Sequence, residues 1–197
     1  MAEPQRIPQA DRFRPSDYSA ALVQCVLDAA DHVREATVLD VGCGSGVLLA
    51  AAGSAGAARL TGVDIEADAV AQTRALLDAS GFATRHDVHL GAGFVPVAGR
   101  RFDLVLANLP HFPMDPAVVA GRLPSWSAGG PDGRRLLDRF LAGLAPHLAP
   151  GGRAMMVHNA FIGLDATRAI ASAHGLQATV LHSFMVPLPD AKLAVMT

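Results

Sequence analysis

The chain has 197 residues, 51% of them apolar, a formal net charge of −2 and two cysteines. That length and apolar content suit one well-cored domain and exclude general disorder, while the near-neutral charge excludes a global attraction to nucleic acid. Two cysteines without a metal-ligand spacing argue against a disulfide framework or a metal centre and for a reduced, cytoplasmic setting.

No uncharged apolar run reaches the roughly 18 residues that a membrane span needs, and residues 1–16 lack the apolar core of a signal peptide. No membrane association is expected. Residues 1–16 are polar and carry prolines, and read as an arm before a single domain at 17–197. Ser16 or Asp17 suits the cap of a helix from about Tyr18 to Val33, with Leu22, Val26, Leu27 and Ala30 along one face. Val38 to Val41 reads as a buried strand. It breaks into Gly42, Gly44 and Gly46, glycine at every second position, a turn that lets a ligand approach the backbone. Val47 to Ala52 is the helix after the turn. Leu60 to Asp64 is a second apolar strand, ending in a carboxylate. Glu66 to Ser80 is a helix with Ala69, Val70, Thr73, Leu76 and Leu77 at helical spacing, ended by Gly81.

A weak strand at Val88 to Leu90 precedes a strong one at Phe102 to Ala107, which Pro110 stops. Residues 111–131 form a long loop rich in proline and glycine that carries the only tryptophan, Trp126. Asp132 or Gly133 opens a helix through about Leu148, with Leu136, Leu137, Phe140, Leu141 and Leu144 as its apolar face. Pro150-Gly151-Gly152 turns into a strand at Arg153 to His158, and Leu164 to His174 is a further helix. Ala178 to Met185 and Leu193 to Met196 read as a hairpin around Pro187 to Asp190. Strands alternating with helices predict an α/β fold: a Rossmann-like, doubly wound, mostly parallel sheet of seven strands, with the hairpin antiparallel at one edge.

The glycine turn and Asp64 together describe a nucleoside pocket at the C-terminal edge of that sheet. The register is G-x-G-x-G followed by Val47, not the G-x-G-x-x-G/A of a dinucleotide fingerprint, and no Gly-Lys-Ser/Thr phosphate loop is present. Asp40, just before the turn, would repel a pyrophosphate. It suits a ligand with a cationic end, an ammonium or a sulfonium. A nicotinamide oxidoreductase is further disfavoured by the absence of a Ser/Tyr/Lys set. Structural readings stand beside the functional ones. Asp40 can cap the turn, Asn108 is a common residue before a proline turn, and His111, His158, Asn159 and Trp126 can be loop or packing residues.

Val38-Leu39-Asp40-Val41-Gly42-Cys43-Gly44-Ser45-Gly46 resembles the first motif of class I methyltransferases that use S-adenosylmethionine, and Gly62-Val63-Asp64 resembles their second. Phe102 to His111, ending Asn108-Leu109-Pro110-His111, resembles their fourth-strand motif, usually Asn-Pro-Pro-Tyr in enzymes that methylate planar nitrogens. Phe13-Arg14-Pro15-Ser16-Asp17, Gly129-Gly130-Pro131-Asp132-Gly133 and Leu148-Ala149-Pro150-Gly151-Gly152 resemble the short glutamine N5 methyltransferases of release factors. The resemblance implies S-adenosylmethionine as cofactor and S-adenosylhomocysteine as product, held by Asp40, Gly42, Gly44, Gly46, Asp64, Ala92 and Asn108. It implies catalysis at Asn108, Pro110 and His111, with Leu109, Phe112 and Trp126 on the substrate side and no metal. One proline and the tyrosine of the usual motif are replaced, and Gly91-Ala92 stands where many relatives have Gly-Asp near the adenine. The implied acceptor is a protein glutamine; a small molecule is the alternative, and nucleic acid is disfavoured by the lack of a basic stripe. The alternative from another class is a non-catalytic subunit that keeps the nucleoside pocket and works with a protein partner.

Overall fold

The structure is a computed structural model and describes residues 16–114, 117, 126–188 and 190–196. All but the last residue of the expected arm at 1–16 lies outside them. Five parallel strands form the sheet: β1 (Thr37–Val41), β2 (Arg59–Asp64), β3 (His86–Leu90), β4 (Phe102–Ala107) and β5 (Leu148–Met156), in the order β3-β2-β1-β4-β5. The helices are α1 (Asp17–Asp28), α2 (Ala30–Val33), α3 (Val47–Ser54), α4 (Ala67–Ala79), α5 (Arg135–Leu144), α6 (Leu164–Ala173) and α7 (Asp190–Leu193).

Strand alternation sorts the core into two layers. Val38, Leu104 and Leu106 pack with Leu22 and Val26 of α1, Leu48 and Leu49 of α3, and Val70 and Leu77 of α4. Leu39, Val41, Val105 and Ala107 pack on the other face, against Leu137, Phe140, Leu141 and Leu144 of α5. Both faces are covered, so β1 and β4 read as nearly continuous apolar runs. Asp103 of β4 is exposed and accepts from Thr37; Asp40 is the buried exception, a carboxylate at 0% exposure in the middle strand.

The helix expected from Tyr18 to Val33 is interrupted at Ala29, and Leu27 is 41% exposed, off the buried face. Its start is as read: Ser16 accepts from the Ser19 backbone N–H and Ser19 returns the bond, a capping box. The helix expected from Asp132 starts at Arg135, because the Asp132 carboxylate accepts from the Arg134 N–H and spends those residues in a turn. Pro150-Gly151-Gly152 lies inside β5, where the register against β4 shifts between Phe102 and Leu104.

Among the described residues no strand follows β5, so the expected seven-stranded sheet has five strands and the expected hairpin is absent. Ala178 to Met185 runs without strand pairing, with Val180, Leu181 and Met185 exposed. The return segment starts instead as the helical turn α7, built of Asp190, Ala191, Lys192 and Leu193. Ala, Lys and Leu favour helix, and a strand without a partner has nothing to hold it extended.

Candidate active site

In this strand order β1 and β4 are neighbours from which the chain winds outward in opposite directions, so the crevice at their C-terminal ends is the topological switch point where ligands bind. Two turns meet there. After β1, Gly42, Gly44 and Gly46 take φ of 76°, 51° and 82°, a left-handed geometry that favours glycine. The Gly42 and Cys43 N–H groups donate to the Val63 carbonyl at 2.8 and 3.1 Å, tying the turn to β2. A Cβ on Gly46 would lie 3.0 Å from the Thr73 backbone, so α4 closes over the turn. The Thr73 hydroxyl donates to the Gly44 carbonyl at 3.0 Å. After β4 comes Asn108-Leu109-Pro110-His111. A Cβ on Gly42 would stand 3.1 Å from Leu109 Cδ2, so the two turns are in contact.

The carboxylates of the first turn differ in kind. Asp64 is partnered: one oxygen accepts from the Gly44 N–H and the other from the Glu66 N–H, both at 2.9 Å. Burial raises its pKa, and those backbone bonds pull it back. Each carboxylate oxygen keeps a further lone pair for a hydroxyl. Asp40 has no partner on either oxygen, and burial followed by the Asp64 charge pushes it up to about 8. A buried acid left so is costly unless a positive charge comes close. The residues therefore fit a ligand that is cationic at one end and carries hydroxyls at the other, as S-adenosylmethionine is.

The second turn is held by residues that sequence reasoning did not single out. Asn108 Nδ2 donates to Ser19 Oγ of α1 at 3.0 Å. Tyr18 meets His111 and Phe112 edge-on, with ring centroids at 5.5 and 5.8 Å. The Phe13 to Asp17 resemblance pointed to this end of the chain. The contacts themselves span about ninety positions and leave no local pattern. The Leu109 carbonyl, expected to be open to a substrate, already accepts from His111 Nδ1 at 2.5 Å. A carbonyl cannot donate, so the proton of the neutral ring sits on Nδ1 and its basic lone pair on Nε2; Leu109 O retains one lone pair. Pro110 is half-buried between them.

Phe112 is buried behind His111, stacked on it at 5.1 Å, and packs with Met114, Ala128 and the C-terminal Leu188 and Val195. His111 and Phe112 are both buried, at 4% and 3% exposure. The half-buried Trp126 is brought back beside this segment, because the Phe112 N–H donates to the Ser127 carbonyl and the Gly129 N–H to that of Phe112, at 2.9 and 2.8 Å. Gly133 shows what the Gly-Gly-Pro-Asp-Gly run does. Its φ is 74°, and a Cβ there would fall 2.7 Å from the His111 carbonyl and 3.1 Å from the Pro113 nitrogen. Gly133→Ala is expected to lose on the order of 3 kcal/mol of stability. It should also push the His111 backbone outward and lower turnover more than cofactor binding, as melting curves and calorimetry would show.

Ala92 is exposed after β3, next to the end of β2, where the Gly91 N–H donates to the Asp64 carbonyl at 2.8 Å. Asp87 does not replace the acid missing there. It accepts from Arg100 at 2.7 Å and from Thr61 at 3.1 Å and pairs with His89 at 2.8 Å. Burial opposes its charge, but those partners outweigh burial and bring it to about 2. His158 is committed to the Thr167 hydroxyl at 2.8 Å, and burial, then the Arg134 charge, lower its pKa. Arg134 itself donates to the Ile162 and Gly163 carbonyls and to Asp138. His158 and Arg134 thus tie the end of β5 to α5 and α6. Among the described residues no cluster of His, Cys, Asp or Glu is arranged to hold a metal.

Comparison with known proteins identifies the fold and the family. The family model for ribosomal protein L11 methyltransferase matches residues 21–112, from α1 to the end of the second turn. A protein of Methanocaldococcus jannaschii named as a protein N5-glutamine methyltransferase is 30% identical over 155 residues, 77% of this chain and 74% of that protein. The release factor glutamine methyltransferase of Xylella fastidiosa is 34% identical over 151 residues, 73% of this chain but 54% of that protein. The chain thus spans about half the length of the release factor enzymes it matches. Ribosomal RNA small subunit methyltransferase C of Klebsiella pneumoniae is 35% identical over 141 residues, 71% of this chain and 36% of that protein. Among solved structures, the ribosomal protein L11 methylase of Lactobacillus delbrueckii shares the fold with a TM-score of 0.62 at 20% identity, over 83% of this chain and 71% of that one. With an orphaned acid before the glycine turn, a second acid at the end of β2 and the Asn-Leu-Pro-His turn at the switch point, the chain belongs to the class I S-adenosylmethionine-dependent methyltransferases, with protein N5-glutamine methyltransferases among its relatives.

Proposed function

We propose that the protein methylates a planar, carboxamide-like nitrogen, with a protein glutamine as the preferred acceptor. The observation that supports this reading is the contact between the Gly42 turn and the Leu109 side chain, which brings the Asn108-Leu109 turn, with its two candidate acceptors Asn108 Oδ1 and Leu109 O, up to the glycine turn. Asp40, Gly42, Gly44, Gly46, Asp64 and Ala92 would hold the cofactor, which supplies an activated methyl group when bound. The work left to the chain is alignment. Asn108 Oδ1 and the remaining lone pair of Leu109 O accept the two N–H bonds of the acceptor, aim its nitrogen and stabilise the positive charge that develops there. Pro110 holds Leu109 extended. His111, with its basic lone pair on Nε2, takes up the proton the nitrogen sheds. Trp126 flanks the acceptor, and Phe112 supports His111 from behind.

Three acceptor classes are separated by one assay. The protein is incubated with methyl-labelled S-adenosylmethionine and, in parallel, with a pool of glutamine-bearing peptides, with ribosomal RNA and with a pool of small carboxamides. The proposal expects label on the peptides, placed by mass analysis on the glutamine side-chain nitrogen. Label confined to RNA, as the ribosomal RNA methyltransferases among the relatives would favour, or confined to the small amides, contradicts it.

The second reading, a cofactor-binding subunit acting through a protein partner, is favoured by the exposed Val180, Leu181, Phe184 and Met185. It predicts no transfer by the isolated chain. No helix among the described residues is long and apolar enough to cross a membrane. Cys25 and Cys43 are both free, consistent with the reduced cytoplasmic setting proposed for the chain.

A further inference from the structure

We propose that Ser19 is a positioning residue of the acceptor site, whose hydroxyl locks the Asn108 carboxamide with Oδ1 turned toward the acceptor. The inference rests on the reading of Asn108 as a clamp and goes beyond it. A carboxamide has a donor end and an acceptor end in one plane. Asn108 Nδ2 donates one of its two N–H bonds to Ser19 Oγ at 3.0 Å, which anchors the donor end on α1 and turns the acceptor end away from it. That is the end an incoming N–H requires. Rotation by half a turn would set Nδ2 against the incoming N–H, donor against donor, and it is disfavoured where the Ser19 hydroxyl proton goes to Ser16 Oγ, 3.4 Å away, leaving Ser19 Oγ able only to accept from Asn108.

Ser19 is itself held in place. It stands in the first turn of α1, where its N–H donates to Ser16 Oγ at 3.3 Å and its Oγ accepts from the Ser16 N–H at 3.4 Å. The two hydroxyls are also 3.4 Å apart. Its neighbour Tyr18 packs edge-on against His111 and Phe112. One helical turn therefore grips the Asn108 turn at both ends. Strand alternation explains the approach: Leu104 and Leu106 face the layer that contains α1, and Asn108, two residues on, continues that alternation. In this account the capping box does more than start a helix. It sets the hydroxyl that orients the clamp.

The test uses the full chain with S-adenosylhomocysteine bound and needs no acceptor for its first readout. In 15N-labelled protein the Asn108 side-chain amide resonances are identified by their loss in Asn108→Ala. Ser19→Ala is expected to shift them and speed their exchange with water, and Ser19→Thr to restore them. Turnover, read on whichever acceptor pool takes label, should fall about tenfold in Ser19→Ala with KM for S-adenosylmethionine within about twofold of wild type. Threonine should rescue it, whereas a loss due only to the helix cap would show in melting and leave the carboxamide signals in place. Adding Ser19→Ala to Asn108→Ala should cost nothing more, since both act through one group. Unmoved resonances in Ser19→Ala, or losses that add in the double variant, overturn the proposal. Full turnover in Asn108→Ala overturns the clamp reading, and the Ser19 role with it, while the resonances still report the bond.

Discussion

Asn108→Ala is expected to lower turnover about 100-fold while leaving S-adenosylhomocysteine affinity within about threefold of wild type. The size of the effect follows from what the side chain has left to give. Its nitrogen bonds to Ser19, so in the proposed clamp truncation removes one acceptor, Oδ1, from the incoming nitrogen. An acceptor aimed at developing positive charge in a dry site resembles a preorganised oxyanion donor with the sign reversed, and losing one such group typically costs about 100-fold or more. Leu109 O cannot make up the difference, because one of its lone pairs is occupied by His111 Nδ1. Steady-state kinetics beside calorimetry checks the split. Equal losses in turnover and affinity would mean that Asn108 serves the cofactor instead.

Asp40→Asn is expected to change stability and binding in opposite directions. The native carboxyl sits near 8, raised first by burial and then by Asp64; unfolded, it titrates near 4, as an ordinary carboxyl does (about 3.9). Between those values the native state holds a proton that the unfolded state has released. The stability this group contributes is therefore fully present below the unfolded pKa and is lost as pH rises through about 8. The asparagine variant should melt higher than wild type above pH 8, with the gap closing toward pH 5. A cationic ligand reverses the balance, because its charge favours the ionised acid. Its binding to wild type should release a proton below pH 8 and strengthen with pH by up to about tenfold per unit. In Asp40→Asn the affinity should fall at least about tenfold and lose that pH dependence. Melting curves from pH 5 to 9 and titrations in buffers of different ionisation heat read both effects. An affinity for S-adenosylmethionine, which carries both cations, unchanged by the substitution would remove Asp40 from the cofactor site.

The centre of the fold was legible because its strands are buried on both faces. Val38 to Val41, Leu60 to Asp64 and Phe102 to Ala107 each read as apolar runs, and each is a strand. Asp40 stood out because an acid inside such a run contradicts its surroundings, and conflicts of that kind gather at functional sites. The edge was less legible. Ala178 to Met185 has the residues of a strand, but a strand at the margin exists only if something pairs with it, and Asp190 to Leu193 closes a helical turn instead. In the turn after β4 Asn108 and His111 were visible as residue types. What they bond to was not: Ser19 lies eighty-nine positions from Asn108, and the bond from His111 to the Leu109 carbonyl depends on a side-chain rotation that no spacing encodes. Gly133 was visible as part of a run, yet its left-handed φ and the close approach of the His111 carbonyl, which explain why a glycine stands there, were not.

The proposed methyl transfer requires the crevice between β1 and β4 to hold the cofactor between Asp40 and Asp64. Isothermal titration of the full chain with S-adenosylhomocysteine at pH 8, wild type against Asp64→Ala, tests it most directly. One site per chain is expected in the wild type, with an affinity at least about tenfold weaker in the variant, which loses the acceptor for the ribose hydroxyls. No heat of binding in the wild type, or equal affinity in the two proteins, would contradict it.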